Sequence, residues 1–130
     1  MLNIMKVVLV EDSALLRERL VQTIASIDGI SLVGYAETAP DAIELIKERQ
    51  PDAIVLDIRL RQGTGLQVLQ AVKTTGQLPW VIVLTNFAFP QYRKKYLDSG
   101  ADYFLDKSNE FDQISVVLKE LMDKEDRHDA

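Results

Sequence analysis

The chain has 130 residues, 47% of them hydrophobic and 27% charged, with a net charge of −5, which suits one soluble domain with a single core. It holds no cysteine and one histidine, His128, near its end, so disulfide scaffolds, thiolate metal sites and cysteine nucleophiles are excluded and a histidine-based triad or zinc site is not expected. The acidic balance argues against direct nucleic-acid binding, which wants a basic face; no apolar run approaches the roughly 20 residues of a membrane span; and the amino terminus lacks the form of a signal peptide, so a cytoplasmic location is expected.

Lys6-Val7-Val8-Leu9-Val10 is a β-branched apolar run closed by Glu11-Asp12, and it reads as a buried parallel strand. Ser13 is placed to cap a helix whose apolar face is Leu16, Leu20, Ile24 and Ile27, stopped by Asp28-Gly29. A second strand over 32–36 leads to a helix capped by Thr38, with Pro40 in its first turn and Ala42, Ile43 and Ile46 on its buried side. Gln50-Pro51 ends that helix, because the residue before a proline leaves the helical region. A third strand over 53–57 ends in Asp57, and a loop punctuated by Gly63 and Gly65 opens a helix with Leu66, Val68, Leu69 and Val72 as apolar positions. The strongest strand signal lies over 80–85, from Trp80 to Thr85. Pro90 opens a fourth helix and Gly100 closes it; a short fifth strand over 102–106 follows, then a fifth helix with Phe111, Ile114, Leu118 and Leu121 on one face. Strand and helix in strict alternation predict a parallel sheet with helices on both faces and right-handed crossovers. The polar end over 124–130 is expected to fray.

The polar exceptions to the apolar strands all stand at strand ends. Glu11 and Asp12 end the first strand, Asp57 the third and Thr85 the fourth, and Lys107 follows the fifth. In open α/β sheets the carboxyl ends of the strands form the ligand crevice. Three carboxylates meeting there repel one another unless a cation offsets them. An oxygen-only donor set with room for water suits Mg2+. A lysine and a hydroxyl opposite suit an anion beside the metal, and together these are the parts of a phosphoryl-transfer site.

This arrangement resembles the receiver domain of two-component response regulators. The residues that carry the likeness are Val8-Leu9-Val10-Glu11-Asp12, Ile54-Val55-Leu56-Asp57, Val83-Leu84-Thr85, and Gly100-Ala101-Asp102 through Lys107. The resemblance implies an α/β flavodoxin-like fold: a doubly wound five-stranded parallel sheet, order 2-1-3-4-5, with five helices in three α/β/α layers. It assigns residues 6–123 to a receiver domain and 124–130 to a polar tail. It implies that Asp57 accepts a phosphoryl group from a phosphohistidine, of a sensor histidine kinase or a phosphotransfer protein. Mg2+ would be held by Asp12, Asp57, Glu11 and the backbone carbonyl of Arg59. Lys107 would pair with a phosphoryl oxygen. Thr85 and Phe104 would be the switch residues, remodelling a surface of the fourth helix, fifth strand and fifth helix that binds a downstream protein or a second copy. The expected function is a phosphorylation-activated signalling switch rather than a turnover enzyme, its output protein binding, since no further segment follows the fifth helix in this sequence. The alternative is a pseudo-receiver that binds partners without phosphorylation.

Three departures from the family pattern stand out. Ser108 follows the lysine where proline is common, Asn86 follows the switch threonine where a small residue is usual, and Arg59 and Phe87 occupy the positions that flank the site. The bulk of that pair suggests slow self-dephosphorylation. An aspartate-nucleophile phosphatase would want a second aspartate where Arg59 stands, and a flavodoxin would want a phosphate-binding loop where Glu11-Asp12 stand. Arg93-Lys94-Lys95 reads as a solvated basic face, the alternative being a docking site for an acidic partner; Tyr92 and Tyr96, four apart on the same helix, would flank such a site or pack into the core. Trp80, at the start of its strand, is expected in the core or at the far end from Thr85.

Overall fold

The computed structural model describes residues 4–76 and 78–129. Five strands, β1 (Met5–Val10), β2 (Ile30–Ala36), β3 (Ala53–Leu56), β4 (Trp80–Thr85) and β5 (Tyr103–Asp106), form one sheet in the order β2-β1-β3-β4-β5. Every pairing is parallel. The order expected from the resemblance is therefore the order found.

Alternate residues along each strand feed two cores. Val8, Val10, Ile54, Leu56, Val81, Val83 and Phe104 face one side, where they meet α2 (Ala39–Arg49), α3 (Gly65–Thr74) and α4 (Pro90–Asp98). Val7, Leu9, Val55, Ile82, Leu84 and Leu105 face the other, against α1 (Ala14–Ala25) and α6 (Gln113–Asp129). Burial on both faces is why these strands read as unbroken apolar runs.

The helix starts follow the capping residues. The side chains of Ser13, Thr38 and Thr64 accept from the backbone N–H of Leu16, Asp41 and Gln67, and Thr64 with Gln67 completes a capping box. α1 ends at Ala25, two residues short of Ile27, which is buried past the helix. α2 ends at Arg49 and is capped by Gln50 at φ 50, a left-handed conformation that stops the helix directly before Pro51.

One expectation is corrected. Among the described residues there are six helices rather than five: a single turn, α5 (Lys107–Glu110), precedes the helix predicted around Phe111. Its cause is Asp106, whose Oδ1 accepts from Ser108 N at 2.9 Å while Asp106 N donates to Glu110 Oε1 at 3.2 Å. A proline at 108 would lack that N–H. No peptide bond among the described residues is cis. The backbone of α6 runs on through Asp129. Trp80 N donates to Asp52 O at the far end of β4, and Lys124 Nζ lies 5.5 Å from the Trp80 ring, so the indole is remote from Thr85. No helix among the described residues is long and apolar enough to cross a membrane.

Candidate functional site

β1 and β3 are neighbours, and β2 and β3 leave β1 on opposite sides, so a crevice opens at their carboxyl ends. Glu11 follows β1, Asp57 follows β3 and Lys107 follows β5. All three are buried, at 1%, 6% and 8% exposure. Lys107 Nζ donates to Asp57 Oδ2 at 2.8 Å and makes a still closer ion pair with Glu11 Oε1. The other oxygens are also held. Asp57 Oδ1 accepts from Ile58 N at 2.7 Å, and Glu11 Oε2 from Ser13 N at 3.0 Å. Asp12 is less buried than either, and it offers a carboxylate oxygen within 4.8 Å of those of Glu11 and Asp57. Such a hard-oxygen set fits Mg2+, which keeps several waters and takes few protein carboxylates.

Burial pushes the Glu11 carboxyl above its usual range, against the opposing pull of Lys107. For Lys107 desolvation acts downward, but the pairing with Asp57 and Glu11 outweighs it and the ammonium holds its proton more tightly than an exposed lysine. The cation of the pocket is thus permanently charged at neutral pH.

Thr85 is fully buried at the end of β4, and its Oγ1 accepts from Phe87 N at 3.1 Å, so the hydroxyl is engaged with its own loop. Asn86, next along the chain, is exposed. The Arg59 guanidinium stacks 4.2 Å from the Phe87 ring, which joins the two flanking residues over the β3 and β4 loops. Phe104 is buried on the α2–α4 side, its ring 6.2 Å from that of Tyr96 and its carbonyl accepting from Arg93 Nη1 at 2.9 Å. Tyr103 points to the opposite core. Burial pushes the Tyr96 phenol up to about 12.

Two contributors were not read from the sequence. Arg17 Nη1 donates to Glu11 O at 3.2 Å and pairs with Glu37 Oε1 at 2.8 Å, tying α1 and the β2–α2 loop to the end of β1. No local pattern announces it, since Glu37 lies across a strand and a loop. Gly65 is the other: a Cβ there would stand 2.4 Å from Asp57 O, so α3 can start against the backbone of Asp57 only with glycine.

Residues 7–119 match the family described as the response regulator receiver domain. The chain belongs to that family. Among curated relatives of this receiver, the transcriptional regulatory protein DesR of Bacillus subtilis is 32% identical over 95 residues, 73% of this chain and 47% of DesR. Response regulator MprA of Mycobacterium leprae is 30% identical over 126 residues, 97% of this chain and 54% of MprA. The receiver thus spans about half the length of these relatives. Among solved structures, the signal receiver domain of the response regulator NarL from Mycobacterium tuberculosis superposes with a TM-score of 0.85 at 28% identity, covering 93% of this chain and 98% of that one.

Proposed function

We propose that this receiver accepts a phosphoryl group on Asp57 from a phosphohistidine of a sensor histidine kinase or phosphotransfer protein. The observation that carries the reading is the buried Lys107 ammonium, shared between Asp57 and Glu11 at the meeting of three strand ends. A buried lysine paired this way is placed to follow the charge from carboxylate to phosphoryl oxygen.

An Asp57 carboxylate oxygen attacks phosphorus, the P–N bond to the imidazole breaks, and the imidazole leaves with the electron pair. The product is an acyl phosphate. Lys107 then exchanges its contact with Asp57 Oδ2 for a phosphoryl oxygen, while Ile58 N–H keeps Oδ1 oriented. Glu11, Asp12 and Asp57, with the backbone carbonyl of Arg59, are the groups that would hold Mg2+. When bound, the ion supplies positive charge against the carboxylates and the incoming phosphoryl oxygens. The Thr85 hydroxyl would leave Phe87 N to meet the phosphoryl group, and Phe104 beneath Arg93 would carry that movement to the face of α4, β5 and α6. A downstream protein, or a second copy, would read that face. The stacked Arg59 and Phe87 suit a slow loss of the phosphoryl group, because they cover the approach of water.

The test is intact mass after incubation with acetyl phosphate and Mg2+, beside Asp57→Ala and a metal-free control. One added phosphoryl group, lost in both controls, is the expected result. No adduct together with no measurable Mg2+ binding would replace this reading with the phosphorylation-independent interaction module. Arg59→Ala and Phe87→Ala should each hasten decay of the adduct; unchanged decay in both would refute their shielding role.

A further inference from the structure

A groove of about 250 Å³ lies between α3 and α4. Its floor is Ile58, Leu66 and Tyr96, with the Tyr92 ring along one side. Two cations, Arg59 and Lys95, stand with Thr64 at the remaining walls.

The three basic residues of α4 divide by what they touch. Arg93 is committed to the Phe104 carbonyl at 2.9 Å. Lys94 pairs with Asp98 at 2.8 Å. Lys95 is exposed, lines the groove and has no carboxylate within ion-pair distance among the described residues. The Arg59 guanidinium lies over the Phe87 ring, 4.2 Å from its centroid, and has no carboxylate within ion-pair distance among the described residues, so its N–H groups can take one. On a chain of net charge −5, two such cations beside an apolar floor are a local reversal of sign.

The apolar surface continues past the groove. Phe89, at the start of α4, is 52% exposed and its ring centroid lies 6.0 Å from that of Tyr92. A free aromatic acid would fill the groove and leave Phe89 in water. A longer segment covers both.

We propose that the α3–α4 groove docks an acidic segment of a partner protein, with an aromatic side chain between Leu66 and the tyrosine rings and carboxylates on Lys95 and Arg59. Such a contact has the anatomy of a protein interface, an aromatic anchor in a pocket with a charged rim that fixes orientation. It lies on the α3 side of α4, adjoining the face of α4, β5 and α6 through Tyr96, and the contacts proposed for it do not include the Asp57 carboxylate.

The experiment titrates the full isotopically labelled chain with a synthetic peptide bearing a phenylalanine flanked by two glutamates on each side. Amide shifts are expected at Leu66, Phe89, Tyr92 and Lys95. Lys95→Glu should weaken binding by roughly tenfold or more. Lys94→Glu, a change at a solvated ion pair, should weaken it by no more than about twofold. Replacing the peptide's phenylalanine with serine should abolish the shifts. Thermal melting checks that Lys95→Glu folds, and its unaltered labelling by acetyl phosphate separates this surface from the Asp57 reading. No shift with millimolar peptide would overturn the proposal, as would equal losses in the two lysine variants. Phenylacetate binding at the same residues as tightly as the peptide would make the groove a small-molecule site instead. Self-association of the free chain through these residues would make the occupant a second copy.

Discussion

With its ammonium between Glu11 and Asp57, Lys107 offsets the repulsion of three carboxylates whose oxygens lie within 4.8 Å of one another. The same carboxylates are the ones a divalent cation would use, so lysine and metal compete for them. Lys107→Met should cost the metal-free protein about 3 kcal/mol, since it leaves buried carboxylates without a counter-charge. Mg2+ should restore more stability to that variant than it adds to the parent, while labelling of Asp57 falls away. Urea melts with and without Mg2+ check both statements; equal gains from Mg2+ would contradict the competition. Tyr96 gives a cleaner pH signature. Its phenol titrates at about 12 in the fold against 10.0 for a free tyrosine. The folded state therefore holds that proton more tightly than the unfolded chain does. The stability this contributes is present below pH 10 and is lost as pH rises toward 12. Tyr96→Phe should remove that part of the alkaline decline, and near-ultraviolet tyrosinate absorbance should lose its last-titrating component. A parent and variant with the same decline across that window would refute the assignment.

The elements matter to the site through where they stop. β1 and β3 each place a carboxylate one step past an apolar run, and this made that part of the site legible in sequence: the change from β-branched residues to Glu11 or Asp57 marks the strand end and the chemistry together. Ser13 and Thr38 marked the starts of α1 and α2 in the same way. What was not legible depended on contacts across the chain. The α5 turn carries no apolar periodicity, and its cap, Asp106, already belonged to the fifth strand in the pattern. Which of the adjacent aromatics Tyr103 and Phe104 faces which core is set by the pairing of β5 with Ile82 and Val83 of β4, a contact across the chain. Gly65 could be seen as a glycine but not as a wall. Gly65→Ala should cost about 1–3 kcal/mol, the usual range for overpacking, and should lower acetyl-phosphate labelling, because the new methyl group has to displace the Asp57 backbone or α3. Denaturant melts and mass spectrometry of the same preparation test both, and full labelling at parental stability would contradict the close approach.

At the scale of the whole molecule, any ligand held only by the folded state adds its binding free energy to stability. Mg2+ at ten times its dissociation constant should add about 1.4 kcal/mol. The gain should vanish in Asp12→Asn, as thermal or urea melts will show; a gain that survives would place the ion elsewhere. The two halves of the reactive centre are also far apart in the chain. Lys107 is 50 residues from Asp57 and 96 from Glu11, so both of its pairings are long-range. Long-range pairings close late. On the ribosome the acidic groups emerge first, and for most of synthesis no ammonium exists to stand between them. Zipping the edge strand β5 onto β4 and completing the reactive centre are then one event. A chain interrupted anywhere before residue 107 carries the acids without their counter-ion.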